Sequence, residues 1–209
     1  MRRPSSVFFL LFLISLTHLS AQSFKGGLKG GLVASEVSGD HLAGPNKFGF
    51  FGSAFTMYPI AEHSYLQMEV MYIQKGSRSV PKDENQYFDY RFSLQYLEVP
   101  LLFVQDIGAW SLFLEGLLLH GGFSISKLIA YDETENGASI VSPINSNYKA
   151  MEANLLLGFS YPLSNSLYAT FGYSNSLTPI RPHASGQSTW KNHGQYNSVW
   201  TLGFSYIIW

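Results

Sequence analysis

Cysteine is absent from this chain of 209 residues. That removes disulfides, a thiol nucleophile, cysteine metal sites and the acceptor for a lipoprotein anchor. Charge is scarce: Asp, Glu, Lys and Arg make up 13% of the residues, against roughly 25% in soluble domains. No basic tract invites nucleic acid, and the formal net charge is only −1. After the first residues no apolar run approaches the roughly 20 residues that a spanning helix needs. Signatures of chemistry are missing too. There is no G-x-S-x-G elbow and no P-loop, and the run Phe24-Lys25-Gly26-Gly27-Leu28-Lys29-Gly30-Gly31 lacks dinucleotide spacing and no helix pattern follows it. His41, His63, His120, His183 and His193 are scattered without metal-ligand spacing. The expectation is no enzyme and no cofactor. The alternative is a hydrolase or acyltransferase using Asp40, His41, His183 or His193 at an outer rim.

What is present begins with an address. Arg2 and Arg3 precede an apolar run from Val7 to Leu16, and Leu19-Ser20-Ala21 offers a cleavage site before Gln22. This reads as a signal peptide over 1–21, leaving one domain over 22–209. From there alternating apolar and polar residues recur to Trp209. Met151, Ala153, Leu155, Leu157 and Phe159 share one parity, and Glu152, Asn154, Gly158 and Ser160 share the other. Period two means β-strand, because successive side chains point to opposite faces.

Eight such segments are expected, at 24–34, 47–58, 64–75, 90–104, 110–123, 151–161, 166–177 and 196–209. The second contains Phe48, Phe50, Phe51 and Phe55, which leaves its register ambiguous. The fourth changes parity: Phe92, Leu94 and Tyr96 share one face, then Val99, Leu101 and Phe103 the other. With Pro100 at the change, a bulge is expected near Glu98–Pro100. The seven connections run long, short, long, short, long, short, long. That rhythm, even strand number and the export signal predict an eight-stranded antiparallel up-and-down transmembrane β-barrel in a bacterial outer membrane, with both termini periplasmic. The longest loop is expected over 124–148, where Asp132, Glu133 and Glu135 form an acidic patch.

Alternation does not say which face is inside, and a soluble lipocalin-like lipid carrier would place the apolar face inward. Three features favour the opposite. Aromatics fall near strand ends: Tyr58, Trp110, Tyr161 and Tyr206 at the periplasmic rim, and Tyr72, Tyr90, Tyr173 and Tyr196 at the outer rim, as in an interfacial girdle. The polar face is rich in Gly, Ser, Asn and Gln rather than in charge. The chain ends in an aromatic residue, which barrel-insertion machinery commonly reads. The lumen would then hold Glu69, Glu98, Glu115 and Glu152, with Lys25, Lys29 and Arg91 as partners in a structural network, because a buried carboxylate needs a partner. Eight strands leave room for side chains and little else. The partners expected are outer-membrane lipids and barrel-insertion machinery, with no nucleic acid.

Three strings resemble the PorT family of outer-membrane β-barrel proteins. They are Gly27-Leu28-Lys29-Gly30-Gly31-Leu32 followed by Ser38-Gly39-Asp40 and Asn46-Lys47-Phe48-Gly49, then Leu66 to Arg78 around Gln74-Lys75-Gly76, then Leu94 to Leu102 around Tyr96-Leu97-Glu98-Val99-Pro100. Where the family often shows a Gly-Pro-like step after Glu115, this chain has Gly116-Leu117-Leu118. The resemblance implies an integral barrel without a known reaction, acting as a scaffold or interaction protein. It also implies an alternative, an accessory role beside secretion-system proteins of a type IX kind.

Overall fold

A computed structural model describes residues 24–40, 42, 44–108, 114–140, 147–182 and 194–208. The signal segment, Trp110, His41, His183 and His193 lie outside the described residues. The strands are β1 (Lys25–Ser38), β2 (Lys47–Ala61), β3 (Ser64–Arg78), β4 (Tyr90–Asp106), β5 (Leu118–Glu135), a two-residue β6 (Ala138–Ser139), β7 (Met151–Pro162), β8 (Leu167–Ser176) and β9 (Tyr196–Ile207). Every pairing is antiparallel. Each long strand pairs with its chain neighbour, and β1 pairs with β9 to close the ring. β6 only folds back on the tip of β5. The wall is therefore a closed eight-stranded antiparallel barrel, which leaves no sheet edge to satisfy.

The alternation is inverted relative to a water-soluble protein. Leu32, Phe123, Leu157 and Leu202 are each more than half exposed, whereas Glu69, Lys75, Glu98 and Glu152 are at most 2% exposed. An apolar belt of this extent is incompatible with water and suits hydrocarbon. This orientation removes the soluble-carrier alternative. On β2 the ambiguity resolves by parity: Phe48 and Phe50 face out, while Phe51 and Phe55 face in.

Several expectations are corrected. No bulge occurs in β4 at Glu98–Pro100. Against β3 the register is the same on both sides of the proline, Met68 facing Leu101 and Met71 facing Glu98. The shift lies in β5, where Gln95 faces Ala130 and Tyr96 faces Leu128, leaving Ile129 as the extra residue. Even-numbered residues of β4 point inward from Phe92 to Val104. The apparent change of parity has another cause. Toward the 79–89 connection the lumen is apolar (Phe92, Leu94, Tyr96) while the wall outside it is polar (Arg91, Ser93, Gln95), the reverse of the belt further along the strand.

The fifth strand is also displaced. Leu114 to Leu117 form a turn, closed by Leu117 N donating to Leu114 O at 2.9 Å, with Gly116 at φ +71. The described residues 114–117 therefore belong to no strand, and β5 begins only at Leu118. β5 instead runs twelve residues further into the segment expected as a loop, and the acidic patch lies on a strand: Asp132 is outward, Glu133 and Glu135 inward. Glu115 sits exposed in the turn rather than in the lumen. Tyr90 belongs to the inward parity of β4, so it is no girdle residue.

Close strand approach fixes some glycines. Gly31 faces Gly203 across β1 and β9, and a Cβ on Gly31 would come within 2.2 Å of the Leu202 carbonyl oxygen.

Candidate functional site: the lumen and its closed outer mouth

Inward parity on neighbouring strands stacks the lumen side chains in layers. In the first layer Lys29 of β1 reaches Glu69 of β3 at 3.0 Å. Ser53 donates to the same carboxylate at 2.9 Å and Gln67 at 2.6 Å. His120 adjoins, lining with Lys29 and Glu69 a cavity of about 50 Å³. A second, of about 20 Å³, lies beside it near Met57 and Ser160. Spaces of this size hold a few waters and no solute.

The second layer is a knot across the barrel. Lys75 of β3 sits 2.8 Å from Glu98 of β4 and 2.9 Å from Glu152 of β7, all fully buried. Asn197 of β9 donates to Glu152 at 2.7 Å, and Ser124 of β5 donates to Glu98 at 2.6 Å. Asn154 donates in turn to Ser124 and Ser126 at 3.0 and 2.9 Å. The Lys75 ammonium also lies 5.0 Å from the Tyr96 ring centre. Such charges tolerate burial only with this density of partners.

Above the knot the filling turns apolar: Val33, Val37, Phe92, Leu94 and Val199 pack together. Ile180, from the 177–195 connection, is buried among them. Its neighbour Arg181 closes the mouth. The guanidinium lies 4.4 Å from the Phe92 ring centre and 4.8 Å from that of Tyr148. It donates to Glu133 at 2.7 Å and to Gln195 at 2.5 Å. Tyr148 donates to the same Glu133 carboxylate. Backbone bonds hold the strap: Ile180 N to Gln195 O, Gln195 N to Arg181 O and Lys149 N to Ile180 O, at 2.7–2.9 Å. Burial pushes the Tyr148 phenol above its ordinary range, Arg181 opposing and Glu133 adding to the shift. Burial likewise raises the Asp40 carboxyl, against the hydrogen bond it accepts from the Leu42 backbone N–H at 2.8 Å.

Of the expected lumen residues, Glu69, Glu98, Glu152 and Lys29 come together inside. Lys25 is exposed at the end of β1, 4.9 Å from the Tyr65 ring. Arg91 is exposed on the outer wall. Lys75, the cation that binds two of the glutamates, was missed as a partner, although it shares parity with Glu69, Met71 and Ile73. Arg181 carries no such signal, because a loop residue has no parity to read. Of the expected girdle, Tyr58, Tyr161 and Tyr206 face out at one rim, and Tyr72, Tyr173 and Tyr196 at the other. Trp200 joins them, its ring 5.2 Å from Tyr173.

A closed barrel with an oily exterior, a polar salt-bridged middle and aromatic rims is the architecture of an integral outer-membrane protein. The chain belongs to the family described as outer membrane protein beta-barrel domain, whose model matches residues 20–181. Its fold is similar to that of Ail, the attachment invasion locus protein of Yersinia pestis: 16% identity over 88% of this chain and 98% of that one, TM-score 0.50. CarO of Acinetobacter baumannii is similar at 11% identity, 87% and 96% coverage, and TM-score 0.50. No curated protein matches the sequence. The family and the barrel assign the chain to the bacterial outer membrane.

Proposed function

We propose that this barrel is a non-enzymatic scaffold or interaction protein of the outer membrane, with the long connections outside and both termini in the periplasm. The observation that carries the reading is the filled lumen: the Lys75 knot, the apolar layer and the Arg181 strap block it in series. A barrel of eight strands has no spare interior once those side chains are in place. What it offers partners is therefore its outer loops, and what it offers lipid is its belt. The short connections 62–63 and 163–166 fall at one end together with the longer 107–117, and the 39–46, 79–89 and 177–195 connections fall at the other, which supports placing the first end in the periplasm.

The narrower likeness to PorT proteins falls on Lys75, Tyr96, Glu98 and Pro100, three of which build the knot. It supports shared lumen architecture, and an accessory role in secretion is its functional corollary. Deleting the gene and measuring exported proteins tests that corollary; unchanged export removes it. The main reading is tested by labelling intact cells with a membrane-impermeant maleimide. Glu84→Cys should react and Asn165→Cys should not. The reverse pattern would invert the topology and sink the surface role.

A further inference from the structure

We propose that the groove between the 79–89 connection and the residues Leu42 and Asn46 is a binding site for a short saccharide. It has a volume of about 350 Å³, within the range of small-ligand sites. The proposal rests on the reading that these loops face the cell exterior.

The wall chemistry is amphipathic. Leu42, Val80 and Phe88 supply apolar surface, and Lys82 and Glu84 stand exposed at the rim. Phe88 is 38% exposed, and its ring is backed by Tyr90, nearly parallel at 6.2 Å. A sugar presents the same combination: a C–H face that lies against an aromatic ring, and hydroxyls that a carboxylate and an ammonium can bind.

The loop is built before any ligand arrives. Asn85 accepts from Lys82 N at 2.8 Å and donates to Ser79 Oγ at 3.0 Å and Val80 O at 2.9 Å. Arg78 clamps Asp89 through two bonds of 3.1 and 3.2 Å. Asn136 of the neighbouring hairpin donates its backbone N–H to Asp89 O at 2.7 Å. Gln86 and Tyr87 both hold left-handed backbones, at φ 55 and 57. Residues with a Cβ avoid that conformation unless the surroundings impose it.

The same bonds distinguish a saccharide from a peptide. The amides of Ser79, Asn85, Gln86, Tyr87 and Phe88 all donate within this loop or to Tyr90. The carbonyls of Val80, Lys82, Asp83, Asn85 and Phe88 already accept. A peptide adding by main-chain pairing finds those groups spent, whereas a polyhydroxylated ligand needs only side chains.

The test uses the full barrel refolded in a zwitterionic detergent without a sugar headgroup. Chitotetraose, maltotetraose and a hexuronic acid tetrasaccharide are titrated and followed by saturation-transfer NMR. At least one should bind with a Kd of about 1 mM or tighter. Phe88→Ala should weaken it about tenfold, and Glu84→Gln, an exposed change with no part in the fold, should weaken it measurably. Heat-modifiable gel mobility checks that each variant is folded. Silence from all three sugars, or equal binding by both variants, overturns the site. A fluorescent form of the bound sugar should also decorate intact cells expressing the barrel. Binding to purified protein but not to cells would overturn the outward topology and leave the groove standing.

Discussion

Lys75 shows what a single side chain decides here. Its ammonium is shared by two carboxylates at 2.8 and 2.9 Å, with none of the three reaching solvent. The gain over two isolated hydrogen bonds is modest, because all three groups gave up hydration. The loss on breaking it is large, because truncating the cation leaves Glu98 and Glu152 buried and mutually repelling. Lys75→Met is therefore expected to cost about 3–5 kcal/mol, read from urea unfolding in lipid vesicles. Glu84→Gln, on an exposed loop, should stay within about 0.5 kcal/mol on the same assay. A Lys75→Met barrel as stable as the parent would mean the knot carries no net energy. Lys29 is the milder case: it keeps 14% exposure, so part of its hydration survives in the lumen.

At the scale of the strand, polarity changes sides along the chain. The outward face of β4 reads Arg91, Ser93, Gln95, then Leu97, Val99, Leu101, Phe103. β3 repeats it from the other direction: Leu66, Met68, Val70 and Tyr72, then Gln74. The crossover marks where lipid gives way to water. Leu101→Arg should cost about 2–4 kcal/mol, the penalty for a charge on the lipid face at mid-depth. Ser93→Arg, eight residues away on the same outward face, should cost next to nothing. Urea titration of both variants in vesicles of one lipid composition checks the contrast, and equal penalties would place Ser93 inside the hydrocarbon. This inversion also explains what could be read from the sequence. Period two located β1, β2, β3, β4, β7, β8 and β9, because each strand alternates whichever face is oily. It misled at β4, where a change of solvent reads like a bulge, and at β5, where Asp132, Glu133 and Glu135 read like a loop. Those polar residues stand where β5 rises out of the belt. Tyr90 reads as a girdle residue from its position at a strand end, but it shares the inward parity of Phe92 and Leu94, where the lumen holds aromatics. Parity also put Glu69, Glu98 and Glu152 inside. It had no purchase on Arg181, whose place is set by a connection folding back over the mouth.

Taken whole, the molecule is blocked at three heights by different physics. Ion pairs cross the middle, apolar packing fills the level above, and a strap ending in Arg181 covers the mouth. Barriers in series have a definite consequence: removing one leaves the others to stop ions. Arg181→Ala takes the cation from Glu133, which keeps its bonds from Tyr148 and Tyr90, and from between two rings. Hydrogen exchange at the amides of Ile180, Gln195 and Lys149 should therefore quicken, since these three bonds hold the strap down. Ion flow should not follow, because Phe92 and Leu94 still pack beneath it, with the Lys75 ammonium held by Glu98 and Glu152 below them. In planar bilayers the parent, Arg181→Ala and the double variant Arg181→Ala with Lys75→Met should all remain at baseline current. Current steps from Arg181→Ala alone would identify the strap as the only closure. The barrel would then be a gated pore, and the scaffold reading would fall with it.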